Sequence, residues 1–324
     1  MQLFKSKKKY KILFIASEAG PFVRAGGLGE IMYSLPKSLR ELGNDVRVMT
    51  PKYGTIDTER FNLKLELSKL TPVPVENDPN GLFISNVLRY DDEKGDTLAY
   101  FLENKEFYEK RANTYGYSDD AIRWALLSKG TLEFLKQSDW LPDILVASDW
   151  QTGLIPNYLH TEYKDEPALS KFTTVFSIHN LAFQGMFDNR SVSDMDYDAG
   201  QEQIPSFDNP RLLKLNFMRR GIMYADIINT VSPTYAQEIT TPEYGESLHN
   251  LLTERRMRLF GILNGVDYES YNPETDPNLP NTYSINTLEK REDNKRLLRK
   301  KFNLPDRDVP LLCCLLYTSP SPRD

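Results

Sequence analysis

A glycine-rich stretch near the start of the chain has the composition of an anion-binding loop. It occupies residues 24–30, reads Arg-Ala-Gly-Gly-Leu-Gly-Glu, and lies between a predicted strand and a predicted helix. Gly26, Gly27 and Gly29 allow close approach of a backbone or a ligand, and the following helix directs free N–H groups and partial positive charge at the loop. A diphosphate suits that place, with Arg24 adding a full charge and paired donors.

Taken alone, the glycine stretch is a weak signal. It lacks the Gly-Lys-Ser/Thr of a Walker loop and the GxGxxG order of dinucleotide-binding folds. A tight turn in which the glycines serve only packing explains it equally well.

Two further positions combine polar and aromatic groups in a way that suits a sugar. Asp149 with Trp150 places a carboxylate beside an aromatic plane, and the alternative is a helix cap followed by a core tryptophan. His179 ends a predicted strand, where a neutral imidazole is able to donate a hydrogen bond to a sugar hydroxyl. A lone histidine is more often structural, so both interpretations stay open for each position.

Strands and helices alternate along most of the chain. The predicted strands are residues 10–16, 46–49, 81–90, 97–102, 144–147, 173–178, 227–231 and 261–263, and the predicted helices begin at about 28, 120, 151, 211 and 288. This alternation predicts an α/β fold with a Rossmann-like, mainly parallel sheet and flanking helices. Because ligands of such sheets bind outside the carboxyl ends of the strands, the glycine loop, Asp149 and His179 are expected at one rim. Arg219 and Arg220 are interpreted as a solvated helix face.

Composition excludes several classes of protein. The chain has 324 residues and a net charge of −6, which argues against a broad basic face for nucleic acid or anionic lipid. No apolar run approaches the roughly 20 residues of a membrane helix. The Lys-rich start is followed by an apolar run too short for a signal peptide. We therefore predict a soluble, cytoplasmic protein, with a plastid location as the less favoured alternative for a plant-type source.

Cysteine and histidine usage narrows the chemistry. The two cysteines, Cys313 and Cys314, are adjacent and lie near the end of the sequence, which argues against a disulfide framework, a thiolate nucleophile or a Cys-based zinc site. With three histidines and no HExxH pattern, a zinc hydrolase is also poorly supported.

Composition also changes along the sequence. Prolines and extended segments follow Asn264-Gly265, a pair that in isolation is a simple turn. We therefore place a domain boundary there. It separates an N-terminal domain, 1–264, from a linker with the start of a second domain, 265–312. Residues 313–324 lack periodicity and resemble a translated sequencing adapter, so we interpret them as a non-native tail. A natural disordered tail is the alternative. The first interpretation implies that the sequence is the front half of a longer protein.

Together these stretches resemble the bacterial glycogen synthase and plant starch synthase family, retaining glucosyltransferases of the two-domain GT-B architecture. The resemblance covers about residues 11–312 and includes Asp-Trp at 149, His-Asn-Leu-Ala-Phe-Gln-Gly at 179, Thr-Val-Ser-Pro-Thr-Tyr-Ala at 230 and Asn-Gly-Val-Asp at 264. Three residues depart from the family pattern: Arg24 replaces a lysine, Glu30 an aspartate, and Ser148 a frequent histidine. These changes leave the nucleotide preference open.

The resemblance implies transfer of glucose from ADP-glucose to the non-reducing end of an α-1,4-glucan with retention. It implies catalytic roles for Asp149, His179 and Glu30. Substrate-binding roles fall to Arg24, Gly26, Gly27, Gly29, Tyr115, Trp150, Asn180, Gln184 and Asn264. It implies no metal and no cofactor, with ADP-glucose as donor substrate and an α-glucan as acceptor. The family's second domain supplies most nucleotide contacts, so this chain alone is expected to bind ADP-glucose weakly and to lack transferase activity.

Three alternatives remain at this point. A non-catalytic glucan- or sugar-nucleotide-binding module is compatible with the residues present. Another GT-B glycosyltransferase, such as a relative of sucrose-phosphate synthase or a phosphorylase, uses the same architecture. A dehydrogenase on the same type of sheet is disfavoured by the missing GxGxxG.

Overall fold

The computed structural model describes residues 8–92, 98–187 and 198–313. Of the predicted tail, residues 314–324 lie outside the described residues. The chain divides into two compact units, Met1–Asn264 and Gly265–Asp324. That the second unit begins a further domain stays a prediction.

The first unit is built on a nine-stranded sheet whose strand order is β3-β4-β5-β2-β1-β6-β7-β8-β9. The strands are β1 Lys11–Ile15, β2 Asp45–Pro51, β3 Lys64–Leu70, β4 Ser85–Asp91, β5 Leu98–Glu103, β6 Ile144–Ser148, β7 Thr173–Ile178, β8 Ile227–Thr230 and β9 Leu259–Gly261. The helices of this unit are α1 Gly27–Glu41, α2 Asp120–Gln137, α3 Leu154–His160, α4 Phe217–Tyr224, α5 Pro233–Glu238 and α6 His249–Glu254. The predicted α/β class and mainly parallel sheet are confirmed.

Strand β1 is the topological switch point of the sheet, because the chain connections lead to opposite sides of it. It pairs in parallel with β2 on one side and with β6 on the other. The chain reaches β2 through α1 and returns to β6 through α2. An open parallel sheet has its ligand crevice at such a switch point, outside the carboxyl ends of the strands. The topology therefore directs attention to the loops that follow β1, β6 and β7.

Burial of apolar side chains holds the strands and helices of this sheet together. Four of the five residues of β1 are buried, as expected for a strand covered on both faces. Helix α2 is buried on nearly all sides, and Trp124 is fully enclosed. Gly130 lets α2 approach β5, because a Cβ there would lie 2.8 Å from Leu102 Cδ2.

Several predicted elements differ from those observed. The helix predicted from residue 211 is interrupted, since a 3₁₀ turn over Pro210–Lys214 gives way to α4, whose first turn is capped by the Asn216 side chain. The helix predicted from 151 is likewise a 3₁₀ turn, Trp150–Thr152, followed by α3. Strand β4 starts later than predicted because the Asp78 carboxylate accepts hydrogen bonds from the N–H groups of residues 82 and 83 and folds 78–83 into turns.

Other elements were missed or misplaced. The antiparallel edge strand β3 and the short helices α5 and α6 lack a strong apolar period. The last strand was predicted at 261–263, which is wrong, because the residues that pair with β8 are Leu259–Gly261.

The second unit contains one regular helix in its described part, α7 Lys290–Lys301. A capped 3₁₀ turn, Ile285–Thr287, precedes it. The buried Arg299 donates hydrogen bonds to the carbonyls of Pro305 and Val309, both at 2.6 Å, and so fixes the segment after the helix.

Candidate functional site

The loops after β1, β6 and β7 lie side by side at one edge of the sheet, because these three strands are adjacent and parallel. They carry the glycine loop, Asp149 and His179, respectively. Ser148 Oγ, at the end of β6, lies 4.0 Å from Met32 Sδ on α1. The glycine-loop helix is thus packed against the neighbouring strand end, and the predicted gathering of these residues at one rim is observed.

Helix α1 begins within the glycine loop, with Gly26 as its N-cap. The Gly26 N–H is bonded to the Glu18 carboxylate, but among the described residues no side-chain cap engages the first-turn N–H groups from Gly27 onward, so these remain available to a ligand. A Cβ at Gly27 would meet no described atom within 4 Å, whereas a Cβ at Gly29 would lie 2.8 Å from the Val23 carbonyl oxygen. Gly27 therefore faces open space, and Gly29 allows the loop to fold against the helix.

Arg24 and Glu30 form an ion pair at the ends of the glycine loop. Arg24 Nη1 lies 3.1 Å from Glu30 Oε2, and the guanidinium lies over the ring of Tyr33 at 5.4 Å. Glu30 Oε1 is buried and has no hydrogen-bond partner among the described residues. The structure therefore places Glu30 beside the predicted anion ligand Arg24, and its catalytic role stays a prediction.

Tyr115 lies against the loop that follows β1. Its hydroxyl is 2.9 Å from Ser17 Oγ and 3.2 Å from Glu18 Oε1. Burial, aided by the negative charge of Glu18, raises the pKa of Tyr115 well above its usual range, so the phenol stays protonated. Arg123 donates to the carbonyl of Thr114 at 3.0 Å and fixes the backbone on which Tyr115 is carried.

A cavity of about 430 Å³ lies between the glycine loop and the Tyr115 segment. Its walls include Arg24, Ala25, Arg111 and Tyr115. A second cavity, of about 580 Å³, lies beyond Arg111 and is bordered by Asn80 and Phe207 among others. The first cavity is bordered by Arg24 and Ala25 of the glycine loop, just before α1 begins, so it is the one positioned to receive a group bound at that loop.

Asp149 anchors the loop that follows β7. Its Oδ1 accepts hydrogen bonds from the backbone N–H groups of His179, at 2.7 Å, and Asn180, at 3.3 Å. Its backbone has φ 57° and ψ −176°, a combination otherwise used mainly by glycine, which costs on the order of 1–3 kcal/mol. Residues retained in such conformations cluster at functional sites, and the carboxylate here already orients the His179 backbone.

His179 brings its side chain to the same edge. His179 Nε2 is buried and has no hydrogen-bond partner in the described residues. An unpaired buried polar atom is costly in a folded protein, so a ligand that bonds to it gains binding energy. The predicted catalytic role of His179 is untested, and this free nitrogen is the observation that favours it.

The remaining predicted site residues are engaged within the protein to different degrees. Trp150 packs edge-on against the rings of Trp124 and Phe187, with centroids at 6.1 and 5.5 Å, and Gly185 lies against its indole. The core-tryptophan alternative therefore describes its contacts well. A sugar-binding role for Trp150 stays a prediction.

Gln184, Asn180 and Asn264 also have defined positions. Both ends of the Gln184 amide are bonded, with Oε1 accepting from Asn216 Nδ2 at 2.6 Å and Nε2 donating to the Glu246 carbonyl at 2.7 Å. Asn180 Oδ1 accepts from the Ala182 N–H at 3.0 Å. Asn264 is exposed after β9. Gln184 thus braces the loop, and contact of any of these residues with substrate is untested.

Sequence reasoning missed Glu18 and Arg220. Glu18 is 2% exposed, and its Oε2 accepts from the N–H groups of Ala25 and Gly26. Its position directly after a buried strand, at the predicted ligand rim, was the available signal. The interpretation of Arg220 as part of a solvated face is wrong, because its side chain is fully buried and paired with Asp198. A positive charge inside a helix sequence gives no sign of a buried partner 22 residues away.

We expect the free energy of unfolding to depend on pH because of Asp149. Burial raises the pKa of its carboxyl, opposed by the nearby His179. Stability contributed by an acid with a raised pKa is present at low pH and is lost as the pH rises through that pKa. Asp149→Asn keeps an oxygen acceptor for both N–H groups. We therefore expect its free energy of unfolding in urea to exceed that of the parent chain near neutral pH, with the difference smallest at about pH 4.

The control for this pH profile is Asp149→Ala, which removes the acceptor. It should be less stable than Asp149→Asn throughout. A difference between the parent chain and Asp149→Asn that stays constant with pH would contradict the assignment.

Two further features of the described residues bear on the type of site. Among the described residues, no three His, Cys, Asp or Glu side chains are arranged to share a metal ion. Across the same residues, helices that combine the length and apolarity needed to span a bilayer are absent.

The comparison with known proteins gives the family. The model of the starch synthase catalytic domain matches residues 11–254, three quarters of the chain. The chain belongs to the starch synthase catalytic-domain family. The resemblance inferred from the motifs is thus confirmed.

Similar proteins include other members of this family. The glycogen synthase of Clostridium perfringens is 40% identical over 311 residues, which cover 94% of the chain and 62% of that protein. The glycogen synthase of Geobacillus stearothermophilus is 41% identical over 305 residues, covering 93% of the chain and 61% of that protein. The chain therefore spans about three fifths of the length of these curated relatives.

A solved starch synthase structure shares the fold. It is the catalytic domain of starch synthase IV from Arabidopsis thaliana bound to ADP and acarbose, with a TM-score of 0.75 and 29% identity. The match covers 93% of the chain and 61% of the plant domain. The prediction of the N-terminal half of a GT-B fold is confirmed.

Proposed function

We propose that this chain carries the N-terminal half of the active site of a glucosyltransferase that extends an α-1,4-glucan from ADP-glucose with retention. The observation that carries the proposal is the N-terminus of α1, open from Gly27 onward and set at the switch point of the sheet beside Arg24. The similarity to glycogen synthases supports the glucan as acceptor, and the plant relative that binds ADP supports an ADP donor.

The glycine loop would bind the donor diphosphate. As the bond to glucose breaks, negative charge grows on the leaving diphosphate, and preorganised donors lower the barrier by stabilising that charge. The first-turn N–H groups of α1 and the guanidinium of Arg24 supply such donors. Arg24 keeps this capacity while paired with Glu30, because a guanidinium has five N–H donors and the ion pair engages only part of them.

The glucosyl unit would lie toward the end of β7. His179 Nε2, which lacks a described partner, would then bond to a sugar hydroxyl. Asp149 would act mainly by holding the His179 and Asn180 backbone, since its Oδ1 is committed to their N–H groups. We propose that no metal takes part, because the helix end and Arg24 already place positive charge at the diphosphate.

The activity of the chain by itself is a separate part of the proposal. In the family, most contacts to the nucleotide come from a second domain. We propose that the 324-residue chain binds ADP weakly and has no measurable transferase activity. Incorporation of labelled glucose from ADP-glucose into glycogen by the purified chain would refute this part.

Calorimetric titration of the chain with ADP tests donor binding. We expect saturable binding that EDTA leaves unchanged, and Arg24→Met should weaken it about tenfold through the loss of a charged hydrogen bond. Arg40→Met is the matched control, because Arg40 lies at the other end of α1, roughly 20 Å away. Absence of binding, or equal weakening by both substitutions, would contradict the proposed diphosphate site.

A further inference from the structure

The two walls of the 430 Å³ cavity meet at one buried carboxylate. One wall is the glycine loop, through Arg24 and Ala25, and the other is the segment 111–115. Glu18, which follows β1 directly, is 2% exposed and contacts both. Its Oε2 accepts from Ala25 N and from Gly26 N, the latter at 2.8 Å. Its Oε1 lies 3.2 Å from the Tyr115 hydroxyl.

The stabilisation of this carboxylate comes from the loops themselves. In the described ranges, Glu18 forms no ion pair with a lysine or arginine. A buried carboxylate without a cation is unfavourable unless several hydrogen bonds satisfy it. The N–H groups of Ala25 and Gly26 and the hydroxyl of Tyr115 do so. The same bonds hold the two loops in place, so the carboxylate and the loops depend on each other.

Packing around Glu18 leaves little freedom. A Cβ at Gly26 would lie 3.3 Å from Glu18 Oε1, and a Cβ at Gly29 would lie 3.1 Å from Glu18 Oε2. The glycines therefore allow the loop to close over the carboxylate. On the other side, Tyr53 donates to the Ser17 carbonyl at 2.6 Å and fixes the backbone next to Glu18.

We infer that Glu18 is a positioning residue that joins the glycine loop to the Tyr115 segment and so sets the width of the cavity between them. It turns the N–H groups of Ala25 and Gly26 inward. An anion at the loop then meets the N–H groups of α1 from Gly27 onward. The inference concerns loop position in the unliganded chain and rests on the proposed function only for its nucleotide readout.

Glu18→Ala and Glu18→Gln separate hydrogen bonding from charge. Glu18→Ala leaves two N–H groups and the Tyr115 hydroxyl without this partner. We expect amide hydrogen exchange, measured by mass spectrometry on peptides covering 19–30, to rise about tenfold, and ADP affinity to fall about tenfold. Glu18→Gln keeps an oxygen for the two N–H groups and presents its NH₂ to the Tyr115 oxygen. Its exchange should match the parent chain, and ADP should bind at least as tightly because a nearby negative charge is gone.

Two further variants localise the effect. Tyr115→Phe removes the contacts of the hydroxyl with Glu18 Oε1 and Ser17 Oγ but leaves Glu18 Oε2 bonded to the glycine loop, so within the two loops the increase in exchange should be confined to residues 111–117. Glu41→Ala, at the exposed end of α1, is the matched control. It should change neither the amide hydrogen exchange of residues 19–30 and 111–117 nor the affinity for ADP. If Glu18→Ala does not fold, the exchange patterns of Glu18→Gln and Tyr115→Phe still decide the question.

The outcomes distinguish the two proposals. Unchanged exchange at 19–30 in Glu18→Ala, or equal increases in Glu18→Ala and Glu18→Gln, would overturn the positioning role. Failure of the parent chain to bind ADP, with the exchange pattern as expected, would instead refute the donor site and leave the role of Glu18 standing.

Discussion

Gly29→Ala should destabilise the glycine loop and impair ADP binding together. The new Cβ would lie 2.8 Å from the Val23 carbonyl oxygen and 3.1 Å from Arg24 Cα, both backbone atoms, so the loop must move. Overpacking of this kind costs about 1–3 kcal/mol of unfolding free energy. Because the displaced segment includes Arg24, we also expect ADP affinity to fall tenfold or more by calorimetry, on the order of one lost charged hydrogen bond.

Gly27→Ala is the matched control for this effect. A Cβ at Gly27 meets nothing within 4 Å among the described atoms, and alanine is favoured over glycine in a helix by up to about 1 kcal/mol. The fold should therefore be as stable as the parent chain or more so, while ADP affinity still decreases because the methyl group occupies the open space at the end of α1. Equal loss of stability in both variants would show that the loop is not packed as described.

Arg220→Met should cause the largest loss of stability, about 3–5 kcal/mol in urea unfolding. The side chains of Arg220 and Asp198 are 0% and 5% exposed, and two hydrogen bonds of 2.9 Å join them. Arg220 also donates to Asn157 Oδ1 and to the Glu202 carbonyl, both at 2.8 Å. Removing the guanidinium leaves the Asp198 carboxylate buried without its cation.

Arg211→Met tests whether burial of the ion pair causes the loss of stability expected for Arg220→Met. Arg211 pairs with Glu202, in the same segment that Arg220 holds, but these side chains are 65% and 66% exposed. Exposed ion pairs contribute about 0–1 kcal/mol, so this variant should unfold close to the parent chain. Similar losses for the two substitutions would contradict the assignment of Arg220 as a buried anchor.

The regular part of the fold was predictable because its apolar periods are strong. Strand β7 was predicted at its observed bounds, and β1, β6 and α1 were predicted within two residues, since each has a continuous buried run or an apolar helix face. The antiparallel strand β3 was not predicted, because six of its seven residues lack full burial and charged side chains interrupt its pattern. Some elements begin or end where a side chain bonds to the backbone, although the apolar pattern of the sequence continues. The Asn216 side chain, for example, caps α4 inside the helix that was predicted from residue 211.

The candidate site was predictable to the level of its loops but not of its contacts. Residues that follow parallel strands must meet at one rim, which is why Arg24, Asp149 and His179 could be placed together. Pairing within the rim depends on side-chain geometry that spacing does not encode. Glu30 faces Arg24, and Glu18 lies beneath the loop. The buried Arg220 was misread for the same reason.

The most direct test of the account is an ADP titration followed by the backbone amide signals of the chain in solution. We expect the largest changes at residues 24–29, with smaller ones at Tyr115 and His179. Changes confined to the cavity bordered by Asn80 and Phe207, with the amides of the glycine loop unaffected, would contradict the central claim that the open end of α1 binds the diphosphate.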